Sequence, residues 1–486
     1  MTARRILVAS NRGPVSYVAG DDGALVPKRG AGGLVTALSG AVQTTGGLWV
    51  ASAMSAADRE MAASTPTGRL DPVVDEAKYA LRLIAEDPQT YDRFYNGISN
   101  HMLWFLHHAL WNLPYAPTLD SGTRDDWEAY RRVNGRFAEA LAEEIDRNPA
   151  DVLVQDYHLS LVPAALRARA AHARIAYFHH IPFAGSVELS LLPGWIRRDL
   201  LTGLLGADLV GFQAARWAEN FLTACRSLED AQVDTRRRQV RWEDRIVQVG
   251  VYPITVETDS LLETADSPAV AARTTDLERW LGGRRLLLRV DRTEPSKNIL
   301  RGFQAYEEFL RRYPGWRRKV CFLALLNPSR QSLPEYRRYT DACREAAEAI
   351  NAAFGEPDWR PVELRINDDF DEVVAAYGLY DVLLVNPVLD GMNLVAKEGP
   401  LLNRRDGVLL LSRTAGAFAE LGRQALALDP LDVTATADAI NAALRMPAGE
   451  RARRAGGLRR AAGAGSPADW VARQMADLDR AATREE

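Results

Sequence analysis

The segment from Asp390 to Glu398 carries the polar residues of this chain that are best placed for chemistry. It follows an apolar run, Asp381 to Val388, whose composition and Pro387 predict a short strand that ends in a turn. Open α/β sheets bind ligands at the carboxyl ends of their strands. If a helix starts near Gly391, its first N–H groups and the positive end of its dipole suit a diphosphate. Asp390 is then placed for sugar hydroxyls and Glu398 for a vicinal diol such as a ribose. The alternative is a solvated Asp turn followed by an ordinary helical Glu.

Cations recur after two other predicted strands. Arg292 and Lys297 lie on either side of Pro295 after the run that starts at Arg285, and Arg330 follows the next strand. Two fixed cations suit the oxygens of a diphosphate leaving group. Taken singly, each is more often a solvated or salt-bridged surface residue. Their recurrence at strand ends is what predicts a binding role.

The first half of the chain offers polar and glycine-rich candidates. Asp156 and His180 each follow a predicted strand, and Arg12 closes the first strand of the chain. Gly32 and Gly33 belong to a glycine cluster before a helical stretch, where backbone N–H groups can approach a phosphate. The spacing is not that of a dinucleotide fingerprint, so a flexible hairpin is the alternative.

A metal site is not expected from the histidines. His107-His108 and His179-His180 are adjacent pairs whose side chains point in opposite directions from a strand, and H-x-x-x-H spacing is absent. One member of each pair is expected to be structural. The aromatic segment from Tyr91 to Trp104 is typical of amphipathic core.

Short apolar runs alternate with amphipathic segments along the whole chain, the pattern of a mostly parallel α/β sheet. One series of runs precedes residue 252 and a second follows residue 284, with a Thr-, Ser- and Asp-rich stretch between them. Two Rossmann-like halves are predicted, with the boundary near residue 252. A ligand site is expected in a cleft between them.

Composition excludes several classes. The 486 residues include 60 Lys plus Arg against 64 Asp plus Glu, a formal charge of -4, so no basic field indicates nucleic acid or an anionic membrane as a partner. The three cysteines form no C-x-x-C pair, which is typical of a reducing compartment. No apolar run suits a signal or membrane segment, so a cytoplasmic location is predicted.

These residues form an ordered set of motifs that resembles the trehalose-6-phosphate synthase family of retaining GT-B-type glycosyltransferases. The resemblance covers nearly the whole chain. Its motifs are S-N-R at Ser10, A-G-G-L at Ala31, G-G-L-W at Gly46, Y-N-x-x-S-N at Tyr95, D-Y-H-L at Asp156, H-I-P-F at His180, V-Y-P-I at Val251 and D-G-M-N-L-V-A-K-E at Asp390. It implies an acceptor-binding domain at 1–252, joined by a C-terminal helix at 467–486 that crosses back, and a nucleotide-sugar-binding domain at 253–466.

The resemblance also implies residue roles. The acceptor glucose 6-phosphate would be bound by Arg12, Tyr95, Trp104, Asp156 and Arg330. The donor would be bound by Gly32, Gly33, Arg292, Lys297, Asp368, Asp369, Phe370, Asp390, Gly391, Met392, Asn393, Leu394 and Glu398. The implied catalytic residues are His180, Arg292, Lys297 and Asp390.

No cofactor or metal is implied, because the two cations and the helix end would neutralise the leaving diphosphate. Retention would proceed by front-face attack through an oxocarbenium-like state, and the leaving phosphate would take the acceptor proton. A glycosidase-type carboxylate pair is then not required.

Departures from the family pattern fall near the carried residues. Gln155 replaces a histidine, Ala184 replaces a proline, and the usual R-L-D-Y-x-K-G loop is R-T-E-P-S-K-N from Arg292. This loop form resembles actinobacterial relatives that use GDP-linked donors. Asp368 or Asp369 can accept from the N1 and exocyclic amine of guanine. GDP-glucose is therefore predicted as the favoured donor, with UDP-glucose as the alternative.

Three functions stay open at this point. The first is transfer of glucose to glucose 6-phosphate. The second is a related transfer to another acceptor or a pseudo-glycosidic bond, against which the intact run from Asp390 argues. The third is a non-catalytic sugar-phosphate sensor, which would be expected to lack Arg292, Lys297 or Glu398. Homo-oligomerisation is left open.

Overall fold

The computed structural model describes residues 4–20, 23–29, 33–71 and 80–482. It divides into two compact units, unit 1 with Met1–Ile254 and Pro467–Glu486, and unit 2 with Thr255–Ser466. Within the described ranges, no helix is long and apolar enough to cross a membrane. The same ranges hold no cluster of three or more His, Cys, Asp or Glu residues arranged to bind a metal ion.

Unit 1 is built on a ten-stranded sheet with the order β10-β11-β12-β9-β8-β7-β1-β4-β6-β5. Strands β1 to β12 are Arg5–Ser10, Val15–Ala19, Leu25–Arg29, Leu48–Ser52, Arg69–Leu70, Ala80–Ile84, Ala150–Gln155, Arg174–His179, Leu209–Phe212, Gln232–Asp234, Gln239–Trp242 and Arg245–Val251. The strands from β12 to β6 in the sheet order run parallel, and β2 pairs with β3 as a separate hairpin. The chain winds in opposite directions from β1 and β7, which makes that pair the topological switch point.

Helices cover this sheet and lead into the loops at its edge. Helices α1 to α9 are Gly33–Thr44, Ala56–Ala63, Pro88–Asp92, Trp104–His107, Ser121–Arg147, Val162–Arg167, Ser186–Ser190, Gly194–Leu205 and Ala215–Cys225. A π-helical segment spans Arg93–Leu103, and a 3₁₀ turn spans Tyr157–Leu159. Asp120 caps α5, since its side chain accepts from the N–H of Thr123 at 3.2 Å.

Unit 2 is a six-stranded sheet in which every neighbouring pair is parallel. Strands β13 to β18 are Arg285–Arg292, Val320–Asn327, Val362–Ile366, Val382–Val385, Val408–Ser412 and Leu426–Leu428. Their order, β15-β14-β13-β16-β17-β18, is the Rossmann order, and its switch point lies between β13 and β16. Helices α10 to α18 are Thr258–Ala265, Pro268–Leu281, Ile299–Arg312, Pro334–Phe354, Phe370–Leu379, Val395–Leu402, Phe418–Leu421, Val433–Arg445 and Ala448–Ala462.

The apolar runs of the sequence became strands because both faces of each sheet are covered. Every residue of β16 and of β17 is buried, as expected of parallel strands with helices on both sides. The predicted fold class, an α/β protein with two mostly parallel sheets, is confirmed.

The last helix, α19 at Pro467–Ala482, belongs to unit 1 and packs on α1, β8, β9 and β12. Trp470 and Leu478 on this helix are completely buried. The indole N–H of Trp470 donates to the carbonyl of Tyr252 at 2.9 Å. The C-terminal helix is therefore part of the core of unit 1.

Candidate active site

Unit 1 brings several predicted site residues to one edge of its sheet. Arg12 follows β1, Asp156 follows β7 and His180 follows β8, and these three strands are neighbours. The Asp156 carboxylate accepts from the backbone N–H of His180 at 3.1 Å and so joins two of the strand ends. Asp156 has a backbone φ of 72°, a value that L residues rarely adopt. Such strained backbone conformations cluster at functional sites.

His180 is held as a neutral ring with a defined tautomer. The N–H of Ile254 donates to Gln213 Oε1 at 2.9 Å, so the amide nitrogen of Gln213 faces His180 Nδ1 at 3.4 Å as a donor. His180 Nε2 therefore carries the proton and donates to Gln155 Oε1 at 2.9 Å. Burial lowers the pKa of His180 to about 3, which keeps the ring uncharged near neutral pH.

Stacked aromatic rings lie along the same edge. The ring of Tyr91 stacks on Tyr95 with centroids 5.6 Å apart, and Tyr95 stacks on His158 at 5.8 Å. The Tyr91 hydroxyl donates to Asn11 Oδ1 at 3.2 Å, next to Arg12. Tyr91 and His158 were not predicted as site residues. The four-residue spacing of Tyr91 and Tyr95 is a signal that could have found the first.

The structure places Trp104 differently from Tyr95. Trp104 is 1% exposed and packs against Phe105 and His108, with ring centroids 5.3 and 4.2 Å away. Tyr95 is partly exposed and Arg12 is exposed. The expectation that Tyr91 to Trp104 forms amphipathic core therefore fits Trp104, and its predicted contact with a phosphate stays a prediction.

In unit 2, opposite charges meet at the switch point. Lys297 follows β13 and Asp390 follows β16, and Lys297 Nζ lies 2.5 Å from Asp390 Oδ2. The side chains are 13% and 14% exposed, so the pair is largely shielded from water. Burial disfavours the ammonium, but Asp390 and Asp291 outweigh burial and raise the pKa of Lys297. Lys297 is therefore a fixed positive charge at this edge.

Glu294 organises the two arginines and was missed by sequence reasoning. Its buried carboxylate lies 2.9 Å from Arg292 Nη1 and 3.6 Å from Arg330 Nη1, and it accepts from Ser329 Oγ at 2.8 Å. Burial alone would raise the pKa of Glu294, but the arginines, Lys297 and Ser329 lower it to about 2. One permanent carboxylate thus holds both predicted phosphate-binding arginines.

A buried pair lies beneath this cluster. Arg289 is 0% exposed and its guanidinium is 3.5 Å from Asp291. Arg289 also donates to the carbonyl of Lys297 at 3.2 Å and to the side chain of Asn386. Burial raises the pKa of Asp291 to about 6, although Arg289 and Lys297 oppose the rise.

The expectation of a helix start near Gly391 is wrong, because α15 begins at Val395. Asn393 has φ of 82°, and its side-chain oxygen accepts from the N–H of Ala396 at 3.1 Å. Its amide nitrogen donates to Asp390 Oδ2 at 3.1 Å. The segment 390–393 is therefore a structured loop, and the N–H groups of Leu394 and Val395 lie just before the capped N–H of Ala396.

The loop after β17 supports this segment. The N–H of Gly416 donates to the Asp390 carbonyl at 3.1 Å, and the N–H of Ala417 donates to the Met392 carbonyl at 2.8 Å. A Cβ at Gly416 would lie 1.9 Å from the Gly391 carbonyl oxygen, so the approach requires a glycine. Gly416 has no signal in any of the predicted motifs.

Glu398 lies on the first turn of α15, four residues after Leu394. Its Oε2 accepts from the hydroxyl of buried Tyr377 at 3.2 Å. Burial raises the pKa of Glu398. The carboxylate keeps hydrogen-bonding capacity for a vicinal diol.

The residues predicted to read the nucleotide base already have protein partners. Asp369 caps α14 by accepting from the N–H of Glu372 at 3.0 Å, and it pairs with Arg273 at 2.7 Å. Asp368 accepts from Asn327 Nδ2 at 2.5 Å. Phe370 is 52% exposed and presents its ring to solvent. Both oxygens of Asp369 are thus engaged.

The structure describes only one of the two predicted glycines. Gly33 is the first residue of α1, whereas Gly32 lies outside the described residues. The geometry as a whole offers fixed cations and an Asp-containing loop in unit 2, and a polar and aromatic edge in unit 1. Such sets suit a diphosphate and a hydroxyl-bearing ligand.

The similarity to known proteins covers nearly the whole chain. The sequence model of glycosyltransferase family 20 matches residues 4–480. A UDP-forming α,α-trehalose-phosphate synthase from Schizosaccharomyces pombe is 33% identical over 455 residues, which cover 92% of this chain and 85% of that protein. A second UDP-forming synthase, from Aspergillus fumigatus, is 34% identical over 459 residues, covering 93% of this chain and 92% of that protein.

Solved structures agree with the sequence comparison. A UDP-forming α,α-trehalose-phosphate synthase from Burkholderia xenovorans in complex with glucose-6-phosphate has a TM-score of 0.84 and 30% identity, over 98% of this chain and 100% of that one. A structure described as trehalose-6-phosphate from E. coli bound with UDP-2-fluoro glucose has a TM-score of 0.84 and 28% identity, over 98% of each chain. The family predicted from the motifs is confirmed. The chain belongs to glycosyltransferase family 20 and is a retaining glycosyltransferase with a GT-B-type fold.

Proposed function

We propose that this protein is an α,α-trehalose-6-phosphate synthase, which transfers glucose from a nucleoside-diphosphate donor to glucose 6-phosphate with retention. The observation that carries the proposal is the fixed cation set at the switch point of unit 2, where Lys297 is paired with Asp390 at 2.5 Å. Relatives at 33% and 34% identity that are named trehalose-phosphate synthases support the same activity.

The proposed donor site lies on unit 2. Arg292 and Lys297 contact the diphosphate and stabilise the charge that develops on it as the glycosidic bond breaks. The loop from Asp390 to Asn393 and the N–H of Leu394 hold the donor glucose and its phosphates. Glu398, whose partner is Tyr377, accepts from the ribose hydroxyls.

The proposed acceptor residues of unit 1 surround glucose 6-phosphate. Arg12 binds its phosphate, since guanidinium groups recognise phosphates bidentately. Tyr95 and Trp104 flank that phosphate, and Asp156 accepts from sugar hydroxyls. His180, whose ring nitrogens face Gln155 and Gln213, acts as a neutral positioning group beside the sugar.

The base of the donor is the finer part of the proposal. The loop from Arg292 to Asn298 predicts GDP-glucose, but the similar synthases are named UDP-forming. The Asp369 carboxylate proposed to read guanine is engaged by Arg273 and by the N–H of Glu372. These observations favour UDP-glucose, and the GDP preference has no support among them.

The reaction is tested with purified protein, glucose 6-phosphate and either UDP-glucose or GDP-glucose at equal concentration, in EDTA. Nucleotide release and product mass are measured in parallel. Formation of trehalose 6-phosphate is expected with UDP-glucose, and EDTA is expected to have no effect. Faster turnover with GDP-glucose would restore the sequence-based preference.

A contaminating host enzyme is the main alternative source of product in this assay. A Lys297→Ala preparation purified in the same way is the matched control, and it should form far less product. No product with either donor would contradict the proposal. That result would favour transfer to another acceptor or a role as a sugar-phosphate sensor. The cytoplasmic location stays a prediction, and the oligomeric state stays open.

A further inference from the structure

Unit 1 contains a cavity that none of the predicted site residues lines. Its volume is about 860 Å³, within the range of small-molecule sites. The walls come from the end of α9, the turn between β10 and β11, the second half of β12, and α19. A smaller adjoining cavity of about 560 Å³ shares Arg237, Gln248 and Asp477 with it and adds Arg480.

The cavity is strongly cationic. Four arginines line it, Arg226, Arg236, Arg237 and Arg238, against the two carboxylates of Glu219 and Asp477. Arg237 lies 3.8 Å from Asp234 in a solvent-exposed ion pair. Within the described part of the chain, the other three make no ion pair, so their charges are available to a ligand. An anion carrying about two negative charges balances the set.

The turn that carries three of these arginines is fixed before any ligand arrives. Asp234 Oδ1 accepts from the N–H groups of Arg236 and Arg237, both at 3.0 Å. The side-chain amide of Gln248 donates to the carbonyls of Arg237 and Arg238 at 3.2 and 3.1 Å. Arg238 itself has φ of 52°. Such preorganisation lowers the entropy that binding an anion would cost.

The rest of the lining suits hydroxyl groups. The Tyr252 hydroxyl donates to Asp477 Oδ2 at 2.5 Å, and Arg480 pairs with the other carboxylate oxygen, so the carboxylate that faces a ligand is that of Glu219. Thr223 and Thr235 also line the cavity. Gly250 is required beside Tyr252, because a Cβ there would lie 2.2 Å from the tyrosine ring.

We propose that this cavity is a second ligand site of the enzyme, which binds a dianionic phosphomonoester that also carries hydroxyl groups. The arginines on the β10–β11 turn and Arg226 contact the phosphate as charge-assisted donors. Glu219 accepts from the hydroxyls. The site is independent of the proposed transferase activity.

The cavity is lined by the two segments at which the chain leaves and re-enters unit 1. β12 leads to Ile254, where the chain leaves unit 1, and α19 begins where the chain returns at Pro467. Val251 and Asp477 both line the cavity, so a ligand in it lies beside both of these segments.

The test is calorimetric titration of the full-length protein with ribose 5-phosphate, with ribose and inorganic phosphate titrated separately. The wild type is expected to bind ribose 5-phosphate more tightly than either comparison compound. The R236A/R238A variant should bind it at least about tenfold more weakly, since two charge-assisted hydrogen bonds are lost. R226A is a single-site variant that should weaken binding in the same direction.

An Arg12→Ala variant separates this site from the proposed acceptor site, and it should retain the binding lost in R236A/R238A. The proposal is overturned if R236A/R238A binds ribose 5-phosphate like the wild type, or if only Arg12→Ala loses binding. Equal affinity for inorganic phosphate would overturn the part assigned to the hydroxyls. Thermal unfolding of each variant checks that these exposed substitutions leave the fold intact.

Discussion

At the scale of single residues, the cationic side chains at the edge of the unit 2 sheet are held in place by ion pairs. Glu294 holds Arg292 and Arg330, and Asp390 holds Lys297. Groups fixed in this way need little reorganisation when negative charge develops on a leaving group, which is the condition for strong electrostatic stabilisation. The same clusters also place ionisable groups where their pKa values shift.

Lys297→Ala is expected to lower kcat by ~10²-fold or more, because the cation acts on the leaving diphosphate. The KM for glucose 6-phosphate should change little. Steady-state kinetics with each substrate varied in turn measure both effects. Lys319→Ala is the matched control, since Lys319 is exposed in the same unit. A change confined to the acceptor KM would contradict the assigned role.

Asp291→Asn is expected to flatten the acid side of the stability profile. The pKa of Asp291 is raised to about 6 in the folded protein, above the value of about 3.9 in an unfolded chain. The folded state therefore holds the proton more tightly, and this contribution is complete below pH ~4 and lost as the pH rises through ~6. The loss is on the order of 3 kcal/mol.

Urea unfolding of both proteins at several pH values between about 4 and 7 measures the difference in slope. The Asn variant loses overall stability, because Arg289 loses its charged partner, but the slope is the informative quantity. Equal slopes for the two proteins would show that Asp291 titrates at its ordinary pKa.

At the scale of elements, the loops that follow β16 and β17 form one supported structure. The segment 390–393 receives hydrogen bonds from Gly416 and Ala417, and Asn393 caps the start of α15. The loop geometry, rather than a helix start at Gly391, sets which N–H groups face a ligand. Donor binding is therefore expected to depend on Gly416, which lies outside the motif from Asp390 to Glu398.

Gly416→Ala is expected to raise the donor KM and to destabilise unit 2 by about 1–3 kcal/mol, because the new Cβ overlaps the Gly391 carbonyl. Kinetics and thermal unfolding measure the two effects. Gly378→Ala on α14 is the control, since a Cβ there meets no atom within 4 Å. That change should be neutral or slightly stabilising. Wild-type donor KM in Gly416→Ala would exclude this support role.

At the scale of the whole molecule, each unit has a Rossmann strand order and its own switch point. The chain ends by returning to unit 1, where α19 contributes buried Trp470 and Leu478. The stability of unit 1 therefore depends on residues more than two hundred positions from the strands that they cover, as the Trp470–Tyr252 hydrogen bond illustrates with a separation of 218 residues.

Trp470→Ala is expected to destabilise unit 1 by about 3–5 kcal/mol, since it leaves a large cavity and removes a buried hydrogen bond. Urea unfolding monitored by circular dichroism measures the shift in midpoint. Trp470→Phe keeps most of the ring packing and should cost less, because it loses mainly the hydrogen bond to Tyr252. An unchanged midpoint in Trp470→Ala would contradict a core role for α19.

The sequence by itself determined the fold class, the family and the strand ends at which site residues lie. Apolar runs separated by amphipathic segments are local patterns, so they predicted parallel sheets without knowledge of strand order. The run from Asp390 to Glu398 and the cations Arg292 and Lys297 were placed correctly after their strands for the same reason.

Only the tertiary structure decided how those residues pair. Lys297 and Asp390 are 93 residues apart and meet because β13 and β16 are neighbours in the sheet. The sharing of Glu294, the engaged oxygens of Asp369 and the fixed tautomer of His180 likewise depend on contacts between segments that are distant in sequence. Local periodicity sets each element, but strand order and side-chain packing choose its partners, and no local pattern encodes that choice.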